Sequence, residues 1–188
     1  MRRVIPSGKD VAVYGIAALA SFVAVGAALA RSVDVPTRTR LQASETVDSL
    51  RLTPAESQQL FGELESHSFD VPDSWEKEIR GRRVSLGPGA DGIILQGTDL
   101  LCGATGNCQT FVLRRANGRW TSLFEQDAPL AASFALLETS SSQIRDLLVA
   151  TNESAESIKY TLYTFAGAFY RASACRETAR ALSKVTCE

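Results

Sequence analysis

Four cysteines and a single histidine are the chain's most reactive side chains: Cys102, Cys108, Cys175, Cys187 and His67. Zinc would use such residues, commonly as C-x2-4-C pairs or as cysteine joined to histidine. Here five residues separate Cys102 from Cys108 and eleven separate Cys175 from Cys187, so no metal and no cofactor is expected. Nucleophilic catalysis would need a Ser or Cys beside a base, and His67 has neither a G-x-S-x-G companion nor a neighbouring cysteine. His67 reads instead as a surface or helix-capping residue. A carboxylate pair such as Asp91 and Asp99 could serve a glycosidase, yet nothing in their spacing singles them out. An even number of cysteines in an exported chain reads as disulfides, with three connectivities open. The short separations favour Cys102–Cys108 and Cys175–Cys187.

Export is the premise of that reading, and it rests on Val11 to Ala30, VAVYGIAALASFVAVGAALA, 20 residues without a charge. At about 1.5 Å per residue such a helix is roughly 30 Å long, the thickness of a bilayer core. Arg2, Arg3 and Lys9 precede it and Ala28-Leu29-Ala30 closes it, which are also the parts of a secretory signal with an A-x-A cleavage site. Two outcomes stand open: an uncleaved single-pass anchor in the inner membrane, with the membrane as a partner through residues 11–30, or a chain secreted after cleavage near Ala30. In both, the positive-inside rule leaves residues 31 onward in the periplasm or outside.

The chain then divides into residues 1–30, a polar linker at 31–50 and an exported domain at 51–188. The linker reading comes from RSVDVPTRTRLQASETVDSL, rich in Ser, Thr and Arg. Of the chain's 20 basic and 21 acidic residues, three and one lie in the first 30, which leaves 17 against 20 for the rest. That balance gives no electrostatic reason to expect nucleic acid. The run Lys77, Arg80, Arg82, Arg83 is interleaved with Glu76 and Glu78 and reads as a solvated face.

The elements that must position the cysteines follow from periodicity. Thr53-Pro54-Ala55-Glu56 fits a capped helix start, with Leu60, Phe61 and Leu64 on one face. Ser74 or Asp73 predicts a second short helix through about Arg80, with Trp75 and Ile79 sharing its buried face. From Arg82 the period becomes two, and short strands are predicted at RRVSL, GIILQ, 109–115, 119–124, 132–138, 146–151, 157–165 and 168–173. Asn117-Gly118 is the strongest hairpin signal, because type I′ turns need positive φ at both central residues. Asn152-Glu153-Ser154 matches a glycosylation acceptor. Ala179, Leu182 and Val185 fall at helical spacing and predict a C-terminal helix clipped by a Cys175–Cys187 disulfide. The expected class is therefore α+β: an N-terminal transmembrane or signal helix, short helices, an antiparallel meandering sheet of about eight short strands curled toward a barrel, and a C-terminal helix.

Asp146-Leu147-Leu148-Val149, followed by Tyr160-x-x-Tyr163-x-Phe165-x-Gly167-x-x-Tyr170, together with the Cys102–Cys108 glycine loop, resembles exported bacterial domains with a DL-V…Y-x-F-x-G-x-x-Y closing hairpin, loosely like one FG-GAP-type blade. The resemblance covers about 70 residues and implies a fold neighbourhood without an activity. The Asp-x-Asp-x-Asp-Gly calcium loop of FG-GAP repeats does not occur in the sequence.

The expected function is a non-enzymatic envelope domain, tethered or secreted, that binds another envelope protein or a cell-wall component. A structural subunit of a membrane assembly and an envelope hydrolase are the rival readings. The expected contact surfaces are the disulfide loop, through Gly103, Thr105, Gly106 and Asn107, and the tyrosines Tyr160, Tyr163 and Tyr170, since aromatics anchor interfaces.

Overall fold

The computed structural model describes residues 30–34, 45–46, 50–67, 79–98, 101–125, 128–175, 178–179 and 184–188. Two antiparallel sheets, each following chain order, are stacked face to face. The first is the meander β2 (Glu45–Thr46), β3 (Ile79–Gly87), β4 (Ala90–Gly97), β5 (Cys108–Ala116) and β6 (Arg119–Ser122), with β7 (Leu130–Ala131) also paired to β5. The second runs β8 (Ser133–Ser141), β9 (Ile144–Asn152), β10 (Ser157–Phe165) and β11 (Tyr170–Ala174), with β12 (Thr178–Ala179) also on β10. A separate ribbon pairs β1 (Arg31–Asp34) with β13 (Lys184–Cys187).

Runs of consecutive apolar residues explain the layering. Side chains alternate across a strand, so Ile93-Ile94-Leu95, Phe111-Val112-Leu113 and Leu147-Leu148-Val149 must bury both faces. Ile94 and Val112 meet Phe134, Leu147 and Val149 between the sheets. Ile93, Leu95, Phe111 and Leu113 turn outward onto helix α1 (Pro54–Ser66) through Leu60 and Leu64, both fully buried. On the far side, Leu148, Tyr160 and Leu162 meet Val33 and Val185 of the β1–β13 ribbon. The order is helix, sheet, sheet, ribbon.

The sheets are joined at their corners. The chain leaves the first sheet at Ala131 and enters the second at Ser133, with the Ala132 amide donating to Ala150 at 2.8 Å. Elsewhere the Leu123 amide donates to Val112 and the Leu123 carbonyl accepts from Tyr170, both at 2.8 Å. At a third point Gly87 lies so close to the Gln143 carbonyl that a Cβ there would overlap the oxygen.

Several expectations hold. Thr53 caps α1 in a reciprocal capping box with Glu56, and Pro54 opens the helix. Hydrogen bonds from the Thr53 amide and hydroxyl hold the Glu56 carboxyl below the ordinary carboxylate range, outweighing desolvation, with a lesser contribution from Arg115 and Arg83. Asn117 (φ 51°) and Gly118 (φ 76°) form the β5–β6 turn.

The α+β class is overturned, because the described residues are mostly antiparallel β with one helix. The C-terminal helix is replaced by β12 and β13. Val185 and Cys187 are buried and Thr186 is exposed, a period of two that pairing with β1 selects over the helical spacing of Ala179, Leu182 and Val185. The short helix through Arg80 fails at its described end, where Ile79 and Arg80 begin β3 and Ile79 packs beneath α1; residues 74–78 lie outside the described residues. The stretch read as a linker holds β1 and β2. In place of one sheet curled toward a barrel there are two stacked meanders. No helix among the described residues is long and apolar enough to cross a membrane, and residues 11–29, which carry the anchor or signal reading, lie outside them.

Candidate functional site

The Cys102–Cys108 loop is folded on itself and then locked to the second sheet. Its disulfide closes an antiparallel bridge. Inside it, the Gly103 amide donates to the Asn107 carbonyl and the Gly106 amide to the Gly103 carbonyl, both at 2.8 Å. Gly106 sits at φ +72°, which glycine adopts without strain. Asn107, 6% exposed, then acts as a strand partner made from a side chain. Its Oδ1 accepts from the Asn152 amide at 2.8 Å, and its Nδ2 donates to the Asn152 carbonyl at 2.9 Å and to Thr105 Oγ1 at 2.7 Å. Asn152 Nδ2 returns a bond to the Thr105 carbonyl at 2.9 Å, so the amide of the glycosylation-like triplet is engaged in this clamp.

What remains outward is a small, fixed surface. Gly103, Ala104, Thr105 and Gly106 are exposed. Beside them β7 pairs with β5 at Cys108–Ala131 and Gln109–Leu130, and Thr151 Oγ1 donates to the Leu130 carbonyl at 3.0 Å. Leu130 is 51% exposed, the one large hydrophobic so exposed among the described residues. The loop, Leu130 and the Asn152–Ser157 turn therefore form one rigid face with an apolar projection. Leu130 and Asn152 were not legible as site residues, because nothing local marks a lone leucine as exposed or an asparagine as a clamp.

The three tyrosines are placed differently. Tyr160 and Tyr170 are buried, at 7% and 5% exposed, and Tyr163 is half-buried. Tyr163 and Tyr170 pack on Phe124 at centroid distances of 5.4 and 5.7 Å, and Tyr170 OH donates to the Arg145 carbonyl at 2.8 Å. Of the expected surface, Gly103, Thr105 and Gly106 face solvent, Tyr163 does so in part, and Asn107, Tyr160 and Tyr170 are buried. Burial, and next the Asp146 charge, push the Tyr170 hydroxyl well above its ordinary value of 10.0, and burial raises Tyr163 as well. A raised folded-state pKa contributes stability that is complete below the unfolded value and lost as pH climbs beyond it. The expected result is a stability loss beginning above about pH 10, with the Tyr170 phenolate absorbing only as tertiary structure disappears. Tyr170→Phe should move that alkaline loss to higher pH; an unmoved alkaline limb would exclude Tyr170 as its source.

A second polar cluster lies at the opposite end of β9. Between Leu136 and Ser140 the β8–β9 register shifts, leaving three β8 residues facing Asp146 alone. Arg145 satisfies this irregular backbone, and Asp146 gathers the side chains around it. Arg145 Nε donates to the Leu137 carbonyl at 2.7 Å and Nη2 to the Leu136 carbonyl at 2.9 Å. Asp146, with no exposed surface, accepts from Thr139 Oγ1 at 2.8 Å, Ser141 Oγ at 2.7 Å and Arg31 Nη2 at 2.9 Å. A groove of about 380 Å³ opens beside it between β1 and β8, lined by Val33, Leu136, Leu137, Thr139, Arg31 and Arg145 among others. The acid fixes β1 to the second sheet, since a buried carboxylate needs such partners. The sequence carried one clue, an aspartate opening the otherwise apolar run DLLVA.

Both favoured cysteine pairs form disulfides, which fits an oxidising, extracellular-type compartment. His67 caps the end of α1 with Nε2 3.5 Å from Glu63 Oε1. Among the described residues no group of three His, Cys, Asp or Glu side chains is placed to hold a metal ion. Asp91 is exposed on β4, and Asp99 lies outside the described residues. No family model, curated protein or solved structure matches this chain.

Proposed function

We propose that the protein is an exported binding domain of the cell envelope that grips a protein or cell-wall partner through the face formed by residues 103–106, Leu130 and the turn after Asn152. The observation that carries this reading is the double clamp of Asn107 on Asn152 around a disulfide-closed loop. Ordering a loop in advance lowers the entropy cost of association, and here the ordering leaves glycine, threonine and a projecting leucine outward. The blade-like fold neighbourhood that the closing-hairpin motif suggests belongs to this proposal, and the motif's Asp146, Tyr160 and Tyr170 fall on β9, β10 and β11 of one antiparallel meander. That neighbourhood adds no activity.

The test is site-specific photo-crosslinking in intact cells, with the photoreactive residue at Thr105 or Leu130 and a control at exposed Lys159 on β10. Discrete adducts are expected from the first two positions and not from the third, and Leu130→Glu should abolish those from Thr105. Adducts from all three alike, or from Lys159 alone, would remove this face as the contact. A peptidoglycan pull-down of the wild type and Leu130→Glu then separates a cell-wall partner from a protein.

A further inference from the structure

The A-x-A triplet and the first strand of the fold meet at one peptide bond. Ala30 is exposed and belongs to no strand, whereas Arg31 already lies in β1 opposite Cys187. Two residues on, Val33 is 5% exposed in the core beneath the ribbon. Resting on the exported reading above, we propose that the chain is cut between Ala30 and Arg31 by an envelope endopeptidase selecting small residues at the first and third positions before the bond, so that the mature domain begins at Arg31. Water adds to the Ala30 carbonyl carbon and the C–N bond breaks. Ala30 keeps a carboxylate and Arg31 gains an ammonium group.

Three observations converge on this bond. Ala28 and Ala30 supply the small side chains that such a peptidase reads. The cut spares everything the fold uses, because Arg31 supplies the cation that Asp146 holds at 2.9 Å. A cut even one residue later would leave that fully buried carboxylate without its guanidinium. An uncut chain, by contrast, would have no spacer. The apolar stretch runs to Ala30 and β1 starts at the next residue, so the ribbon end bearing the exposed Glu188 would be pressed against the headgroups. Because Arg31 is paired with Cys187, and Cys187 is bonded to Cys175, cleavage of an extended substrate precedes the docking of β1.

The experiment expresses the full chain in an export-competent bacterial host and measures intact mass and N-terminal sequence in the membrane and soluble envelope fractions, after alkylation without reduction. The expected species starts at Arg31 and carries no alkylated cysteine. Ala28→Lys combined with Ala30→Lys should instead accumulate as the full-length chain, since the peptidase loses both small side chains while β1, which starts at Arg31, is left unaltered. A full-length wild-type chain, a start at any other residue, or unaltered cutting of the double variant would overturn the proposal. Crosslinking from Thr105 that persists on an uncut wild-type chain would overturn the cut while leaving the binding face intact.

Discussion

Asp146→Ala is expected to cost about 2–3 kcal/mol of folding stability, the scale of removing a charged acceptor from part-buried donors. Three donors lose their acceptor at once: the Arg31 guanidinium and the Thr139 and Ser141 hydroxyls. Arg31 is 40% exposed in its side chain and can turn to water, whereas the irregular segment of β8 has only Arg145 left to hold it. The loss should therefore concentrate at the β1–β8 boundary. Amide hydrogen exchange is expected to accelerate in β1 and β13 before it does in β4 and β5. Asp146→Asn retains an acceptor and should cost less. Equilibrium denaturation under oxidising conditions measures both variants, and a change below about 1 kcal/mol for Asp146→Ala would mean that the carboxylate is no better than neutral for the fold.

Gly87→Ala is the second large effect, about 3 kcal/mol, at the upper end of what overpacking costs. The added methyl meets a backbone carbonyl, that of Gln143, which has little room to retreat. Gln143 and Ser142 form the two-residue β8–β9 turn at φ 66° and 49°, a conformation that side chains other than Asn and Asp rarely take. On its own strand, Gly87 follows the register shift at Ser85. Gly89→Ala is the control. Gly89 has φ +67° but open space around its Cβ position, so alanine there meets only backbone strain, about 1 kcal/mol. Equal losses at the two positions in thermal or chemical unfolding would show that the contact between the sheets at Gly87 carries no special weight.

How much of this was legible depends on whether the information was local. The capping box at Thr53, the Asn117-Gly118 turn and the favoured cysteine pairs all depend on residues at most 12 positions apart, and each is found where the sequence put it. The β8–β9 turn was half legible: strands were expected on either side of it, at 132–138 and 146–151, yet Ser142-Gln143 carries no glycine to announce positive φ. The C-terminal strands were not legible, because Lys184–Cys187 takes its conformation from Arg31–Asp34, over 150 positions away. The tyrosines misled for a related reason. An alternating Tyr160, Leu162 pattern says that one face of β10 is buried, but β10 lies between the other sheet and the ribbon, so both faces are largely covered. At the disulfide loop, glycine content suggested a tight exposed turn, and only the partner strand could reveal that Asn107 fastens it.

The β1–β13 pairing also bears on the order in which the molecule is made. Both meanders close over short sequence distances, one strand with the next, and contacts of that kind form early. The ribbon must wait for the end of β13 to appear, and closing so long a loop carries its entropy cost before any contact repays it. A partly emerged chain would hold two sheets with the outer face of the second one bare, exposing Leu148, Tyr160 and Leu162. Such an intermediate would be adhesive. Transport through a narrow channel as an unfolded thread, followed by oxidation of Cys175 and Cys187 once both are across, would keep that face covered in a single final step.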